Sequence, residues 1–299
     1  WFGAKDMKRM RHYVAMSVYL MFGITAVMTV GLLAFNEPIL RLMNSPEELM
    51  GDVKAYMGII YAGLIVTAAY NALAAFLRAL GDSKSPLYFL IISAAINVVL
   101  DVVFIKFLGM GVEGCAYATV IAQAVSAVCC MVYIIKKYPI LHLEKKNFAL
   151  RRGSFAKLLN LGIPMALQFS ITAIGTIIVQ GAVNVYGAVY MAGFSAAGKI
   201  QNIITMVAVS IGATIATYVG QNRGAGRMDR VQAGVKCSWI MLLIWAAIEM
   251  VVMYFGGKYF TYLFIDPSET AVVEVSVTYF RTVFWAYPVS YTHLRAHET

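Results

Sequence analysis

Residues 86–107 read PLYFLIISAAINVVLDVVFIKF and place one carboxylate, Asp101, inside a long apolar run. At about 1.5 Å of rise per residue, a helix of this length spans about 33 Å, which is enough to cross the ~30 Å hydrocarbon core of a bilayer. A charged side chain there costs at least ~2.5–3.5 kcal/mol on insertion scales. An ionisable residue in a membrane helix therefore points to transport, with neighbouring groups that offset this cost.

The rest of the chain has the composition of a membrane protein. Of its 299 residues, 61% are hydrophobic and 13% are charged, and the mean hydropathy is +0.73, whereas a soluble domain is about 45–50% apolar and 25% charged. The net charge of +9 is carried by loops between apolar segments, so it does not indicate nucleic-acid binding. No enzyme is expected, because the sequence contains no nucleophile–base pair, Walker motif or metal-ligand cluster. The cysteines are interpreted as small buried side chains within or beside apolar segments: Cys115, Cys129, Cys130 and Cys237.

Eight apolar segments are predicted to form helices, and most reach the ~20 residues that a spanning helix needs. Their runs are continuous and lack the alternation that is typical of barrel strands. We therefore expect an all-α polytopic membrane protein. The segments cover residues 13–35, 53–77, 86–107, 112–135, 158–185, 190–219, 233–255 and 272–288.

Positive charge is concentrated in alternate loops. The basic loops lie near residues 1–12, 78–85, 136–157 and 220–236, and the loops between them contain few Lys or Arg residues. The positive-inside rule predicts that these four loops are cytoplasmic in a multi-pass protein of the inner membrane. The longest is expected to be a linker along the inner headgroups, where anionic lipid favours basic residues. A specific lipid site and a simple orientation signal are both open interpretations of its charge.

An internal repeat relates two parts of the chain in the same direction. FGAKDMKRM at residues 2–10 aligns with RGAGRMDRV at residues 223–231, and the same offset pairs Ser17 with Ser238 without a gap. Six apolar segments separate equivalent points, so the two copies have the same orientation. This predicts two parallel six-helix halves, related by an axis along the membrane normal.

The repeat predicts how the chain is divided. Residues 1–135 are expected to be helices three to six of the first half, residues 136–157 the linker, and residues 158–288 the first four helices of the second half. The remaining helices of each half would lie outside this fragment. Residues 289–299, VSYTHLRAHET, match the translation of a sequencing-library adapter and are expected to carry no function.

Four polar side chains are predicted to lie together in the hairpin of segments three and four. Asn97 is one helical turn from Asp101, and Gln123 is one turn from Thr119. Counted from the turn at residues 108–111, Asp101 and Thr119 are both about 10 Å below the outer end, which arranges the four side chains in two matched layers. Their oxygens suit a proton or a hard cation such as Na⁺. Hydrogen bonding between helices would explain the amides and the hydroxyl, but it does not require an ionisable group.

A second polar set is predicted in the other half. Lys199, Glu249 and Arg281 lie at similar depths, and Glu249 is expected to form a buried ion pair with Lys199 or Arg281. A structural pair, a substrate-binding role and snorkelling of Lys199 to the outer headgroups all remain open. Pro164 either marks the first turn of its helix or kinks it.

Five motifs stand out along the chain: AYNALAAFLRALGDSKSP at residues 69–86, INVVLDVVFI at 96–105, GMGVEGCAYATVIAQAVS at 109–126, LGIPMALQFSITAIG at 161–175 and ATYVGQNRGAGRMDRV at 216–231. Together they resemble one family, the multidrug and toxic compound extrusion (MATE) transporters, in their bacterial cation-coupled branch. The resemblance covers essentially all of residues 1–288, as the third to tenth helices of twelve.

The resemblance implies a twelve-helix antiporter that exports organic cations and other amphipathic compounds in exchange for H⁺ or Na⁺. The mechanism is expected to be alternating access, with no cofactor beyond the coupling ion, and the protein is expected to be a monomer. In one branch of the family the cation site uses an Asp on the first helix, Asn and Asp four apart on the fifth, and a Thr on the sixth; Asn97, Asp101 and Thr119 match the last three. Another branch uses a Glu on the seventh helix, but residues 158–190 contain no acid, which favours coupling through the first half.

Two other functions are considered beside the antiporter. A flippase for lipid-linked saccharides shares this architecture, and it would be favoured by several intramembrane arginines that bind pyrophosphate; the sequence contains few. A receptor or scaffold that transports nothing is the third class, and Asp101 with its polar neighbours argues against it.

Overall fold

The computed structural model describes residues 1–42 and 47–283, except for the side chain of Leu42, and this part of the chain is built of α-helices and short turns. Seven of the predicted segments are helices long and apolar enough to cross a membrane. The eighth begins as a helix at Thr270 and is described to Val283, and the rest of it lies outside the described residues, as does the adapter-like end. The α-helices are α1 Met7–Ala34, α2 Asn36–Leu42, α3 Met50–Ala79, α4 Lys84–Val102, α5 Gly111–Lys137, α6 Arg152–Asn184, α7 Ala188–Gly224, α8 Met228–Thr261 and α9 Thr270–Val283. The prediction of an all-α polytopic membrane protein is confirmed.

Local capping groups explain where several helices begin. The side chain of Asp6 accepts a hydrogen bond from the backbone N–H of Arg9 at 3.0 Å and caps α1. Helices α1 and α8 begin at Met7 and Met228, which are the positions that the repeat pairs with each other. Helix α6 begins at Arg152, so Pro164 is internal to the helix. The interpretation of Pro164 as a first-turn residue is therefore wrong, because the helix extends into the basic segment before it.

The described chain forms two compact units, which comprise residues 1–2 with 6–159 and residues 3–5 with those from Asn160 onward. In the first unit, α5 packs against both α3 and α4. A side chain at Gly63 of α3 would overlap Val120 of α5, so glycine permits their close approach. Apolar residues of α3 and α5, including Leu77 and Cys130, form a buried core.

The segment predicted as a linker is folded onto the first unit. The Arg11 Nε donates to the carbonyl of Ile140 at 2.8 Å. The His12 ring contacts the carbonyl of Asn147 through Nδ1 at 3.1 Å and the hydroxyl of Ser154 through Nε2 at 3.0 Å. These contacts fix the linker against the start of α1.

In the second unit, α7, α8 and α9 pack together around Met253 and Phe280. The ring of Phe280 lies directly over Gly257, where a Cβ would come within 2.7 Å of it. The buried hydroxyls of Thr261 and Ser276 are hydrogen-bonded to each other at 2.9 Å across α8 and α9. Helix α6 buries none of its own side chains within the described part of the chain.

Candidate functional site

Two side-chain hydrogen bonds fix the register between the antiparallel helices α4 and α5. The Ser93 hydroxyl donates to the carbonyl of Ala122 at 2.6 Å, and the Ser126 hydroxyl donates to the carbonyl of Phe89 at 3.3 Å. Ser93 is only 3% exposed, so this contact lies inside the unit. Asn97 continues the same helical stripe one turn beyond Ser93 and is itself half-buried.

This register places the predicted site residues at staggered heights along the two helices. They form a polar ladder of four side chains, Asn97, Asp101, Thr119 and Gln123. Extended from the two hydrogen bonds, the register sets Thr119 level with Asn97, Gln123 about one turn towards Ser93, and Asp101 about one turn nearer the outer end. The predicted matched layers, with Asp101 level with Thr119, differ from this by about one turn. The number of residues from the turn fixes the depth of a residue along its own helix. It does not fix the axial offset between α4 and α5, which depends on contacts between the two helices.

Three members of the ladder have buried polar atoms without a hydrogen-bond partner among the described residues. These atoms are the Asn97 Nδ2, the Asp101 Oδ1 and the Gln123 Oε1. The Thr119 hydroxyl donates to the carbonyl of Cys115 at 2.9 Å, which leaves its oxygen lone pairs available. A buried polar group left unsatisfied costs about 1–3 kcal/mol. The ladder therefore holds unmet bonding capacity over about two helical turns, with the Asp101 carboxylate at its outer end.

The chemistry of these groups fits a small cation. Asp101 supplies one negative charge, Asn97 and Thr119 add neutral side-chain oxygens about one turn away, and Gln123 lies about two turns away. Hard cations prefer oxygen ligands of this kind, and a carboxylate alone can bind a proton. With a single acid in the ladder, a monovalent ion would neutralise the site completely.

A π-helical segment, Val103–Phe107, begins two residues after Asp101. The Leu108 N–H donates to the Val103 carbonyl at 3.1 Å, in the wider spacing of a π-helix. Gly114 of α5 faces this segment so closely that a Cβ there would lie 2.9 Å from the Cβ of Phe104. Single π turns occur frequently at functional sites. The mostly apolar sequence VFIKF contains no signal that distinguishes a π turn from an α turn.

The second polar set is spread over the second unit. The Lys199 Nζ lies 5.8 Å from the ring centroid of Phe264, and the Arg281 guanidinium lies 5.8 Å from the ring of Tyr254. Both cations are exposed, whereas Glu249 is only 1% exposed. Cation–π contacts of this kind partly stabilise the charges. The ion pair of Glu249 with Lys199 or Arg281 stays a prediction.

A polar cluster that the sequence analysis missed lies at the other end of α4. The Asp82 Oδ1 accepts a hydrogen bond from the Ser85 N–H at 3.0 Å, and its Oδ2 accepts from the hydroxyls of Ser85 at 2.8 Å, Tyr133 at 3.1 Å and Tyr138 at 2.9 Å. Burial acts to raise the pKa of Asp82, but the hydrogen bonds, those from Ser85 foremost, outweigh it and lower the pKa. This Asp82 cluster ties the α3–α4 turn to the end of α5. The tyrosines lie about fifty residues away in sequence, which is why spacing alone could not reveal them.

Comparison with known proteins gives a consistent set of matches. The sequence profile of the MatE family matches residues 1–103 and 164–294. The chain is 31% identical over 290 residues to a probable multidrug resistance protein, YpnP, of Bacillus subtilis, covering 96% of this chain and 63% of the relative. It is 29% identical over 280 residues to another, YoeA, of the same organism, covering 91% of this chain and 60% of the relative.

Among solved structures, a MOP superfamily transporter from Pyrococcus furiosus superposes with a TM-score of 0.88 at 19% identity. The match covers 97% of this chain and 65% of that structure, and it shows a common fold. The chain thus spans about six tenths of the length of the curated relatives it matches.

Proposed function

The chain belongs to the MatE family, and on that premise we propose that the protein is a secondary active antiporter that exports organic cations and other amphipathic compounds. H⁺ or Na⁺ entering the cell drives this export by alternating access. One observation carries the proposal: the ladder on α4 and α5 holds a carboxylate among buried polar atoms that lack partners in the described structure. The multidrug resistance names of the relatives support the substrate class.

The proposed orientation follows from the charge of the loops. The basic loops near residues 1–12, 78–85, 136–157 and 220–236 would face the cytoplasm at the inner membrane. The turn after the π-helical segment then lies at the outer surface, and Asp101 lies about 10 Å below it. An inside-negative potential adds ~2.3 kcal/mol per charge per 100 mV to cation entry. This orientation supports entry of the coupling cation to Asp101 from the outer side.

The chain's own residues would couple this entry to export. Charged Asp101 attracts the cation, and the oxygens of Asn97 and Thr119, about one turn away, are the neutral groups of the ladder nearest to it. A neutral Asp101 no longer needs polar surroundings, so the outer half of the hairpin can repack around the π-helical segment. Repacking of that hairpin would close the outward path and displace the exported compound. No cofactor beyond the coupling ion is required, and a monomer suffices.

A lipid-linked saccharide flippase is less favoured by the same geometry. Such a substrate carries a pyrophosphate, which needs basic partners. The ladder is acidic, since Asp101 is its only ionisable member.

An efflux measurement in cells tests the proposed function. Cells expressing the full-length protein are loaded with ethidium, and efflux is followed with and without a proton uncoupler and with Na⁺ replaced by K⁺. Asp101→Asn should abolish gradient-driven efflux at unchanged expression, and the conditions that stop the wild type identify its coupling ion. Glu113→Gln is the matched control, because Glu113 is an exposed acid at the outer end of α5. Wild-type efflux from Asp101→Asn would refute the assignment.

A further inference from the structure

An apolar groove of about 550 Å³ runs between α7 and α8 within the second unit. Its α7 wall extends from Val207 to Tyr218, and its α8 wall extends from Ala233 to Met241. A side chain at Gly234 would overlap the Tyr218 ring, so the glycine lets this ring lie against α8 at one end of the groove. The groove is separate from the ladder of α4 and α5.

The side chains that line the groove offer a mainly apolar surface to a ligand. The Ser210 hydroxyl donates to the Met206 carbonyl at 2.8 Å, and the Thr214 hydroxyl donates to the Ser210 carbonyl at 2.8 Å. On the other wall the Ser238 hydroxyl donates to the Val235 carbonyl at 2.9 Å. Because each hydroxyl proton is used within its own helix, these side chains need no partner from a ligand. A hydrocarbon chain suits this lining better than a polar compound does.

The length of the groove matches one leaflet of the membrane. From Val207 to Tyr218 the rise along α7 is about 17 Å. Half of the ~30 Å hydrocarbon core is about 15 Å. A transmembrane helix would need a groove about twice as long, so one lipid acyl chain is the better fit.

The charge at one end of the groove selects the kind of lipid. Beyond Tyr218 lie the exposed basic residues Arg223 and Arg230, and Lys236 is exposed on the α8 side. Arg227 is paired with Asp229 at 2.7 Å, so its charge is partly neutralised. The surplus positive charge attracts an anionic headgroup and repels an organic cation.

We propose that this groove binds an acyl chain of an anionic phospholipid of the cytoplasmic leaflet, with the headgroup on Arg223, Arg230 and Lys236. The assignment to that leaflet rests on the orientation proposed above. Cys237 lines the groove and is exposed in the second unit, whereas the sequence predicted a buried side chain. Its thiol therefore reports on what covers the groove.

The test measures how fast N-ethylmaleimide alkylates Cys237 in the full-length protein in detergent micelles, with mass spectrometry separating it from the other cysteines. Added phosphatidylglycerol should slow the reaction saturably, and phosphatidylcholine with the same chains should need a severalfold higher concentration. Arg230→Gln with Lys236→Gln should raise the half-protecting concentration of phosphatidylglycerol about fivefold for each charge removed.

Matched variants separate the groove from general lipid effects. Lys145→Gln with Lys146→Gln makes the same change of charge in the first unit and should leave protection unchanged. Ala233→Phe, which fills the groove, should abolish protection by phosphatidylglycerol, whereas Gln232→Phe, on the neighbouring exposed position, should keep it.

Three results would overturn the proposal. They are equal protection by both lipids, no effect of the Arg230 and Lys236 substitutions, and a Cys237 that is unreactive without lipid, which would show that protein covers the groove. Efflux is a separate readout: Asp101→Asn should keep lipid protection while losing transport, so failure of either proposal leaves the other testable.

Discussion

Replacing Asp101 of α4 by asparagine should raise the stability of the protein, and replacing Asp82 of the turn before α4 by asparagine should lower it. Asp101 has a buried oxygen without a partner among the described residues, so Asp101→Asn removes a charge and loses no hydrogen bond seen in the structure. A charge at the membrane centre costs ~2.5–3.5 kcal/mol, and at the depth of Asp101 we expect relief of about 1–2 kcal/mol. At about 2–4 °C per kcal/mol, the unfolding midpoint should rise by roughly 2–8 °C.

Asp82→Asn is the matched opposite. The Asp82 carboxylate accepts hydrogen bonds from Ser85, Tyr133 and Tyr138, and a hydrogen bond to a charged group contributes about 1.5–3 kcal/mol. Because Asp82 is partly exposed, we expect a loss of about 1–2 kcal/mol and a fall in the midpoint of similar size to the rise at Asp101.

Thermal unfolding of the purified protein in detergent, followed with a thiol-reactive dye at neutral pH, measures both changes. The efflux assay run beside it should show that the stabilised Asp101→Asn protein does not transport. If Asp101→Asn instead lowers the midpoint as Asp82→Asn does, the carboxylate has a structural role in helix packing. The reasoning from its unpartnered oxygen would then be refuted.

Three further changes test the packing and the charges. The pKa of Asp82 is lowered, so its stabilising contribution is lost as the pH falls below the ordinary value of 3.8. The unfolding midpoint of the wild-type protein should therefore approach that of Asp82→Asn in acid. A constant difference between the two midpoints at all pH values would contradict this. Gly63→Ala should destabilise by about 1–3 kcal/mol through overlap with Val120, and Val120→Ala should restore stability in the double variant if that overlap is the cause. Ser276→Ala should cost about 1 kcal/mol in thermal unfolding by removing the bond to Thr261; an unchanged midpoint would show that this bond contributes nothing.

The helices could be predicted from the sequence because their cause is local. Twenty or more apolar residues without a turn signal have one stable state in a bilayer, a hydrogen-bonded helix. Their ends were less predictable: α8 runs from Met228 to Thr261, whereas the apolar pattern covers residues 233–255. Polar residues continue a helix into the headgroup region without changing its hydrogen bonding, so hydropathy underestimates its length.

The candidate site was predictable in composition and only partly in geometry. Asp101 and Asn97 follow from the period of one helix. The offset of one turn between Asp101 and Thr119 depends on Ser93 and Ser126, whose hydrogen bonds join α4 to α5. The π-helical segment depends in the same way on a contact between helices, since Phe104 packs over Gly114. Neither contact is encoded in the pattern of a single segment.

The Asp82 cluster has a mechanical consequence for the hairpin. It pins the α3–α4 turn to the end of α5 through the hydroxyls of Tyr133 and Tyr138. Further along α4, the bonds of Ser93 and Ser126 also hold the helix to α5, so the part of α4 that can tilt is the stretch of about 12 Å from Ser93 to Asp101. A tilt of about 10° over this length would move Asp101 sideways by about 2 Å, which is most of a hydrogen-bond length. With the inner part of α4 fixed at several points, a change of packing near Asp101 would be confined to the outer end of the hairpin.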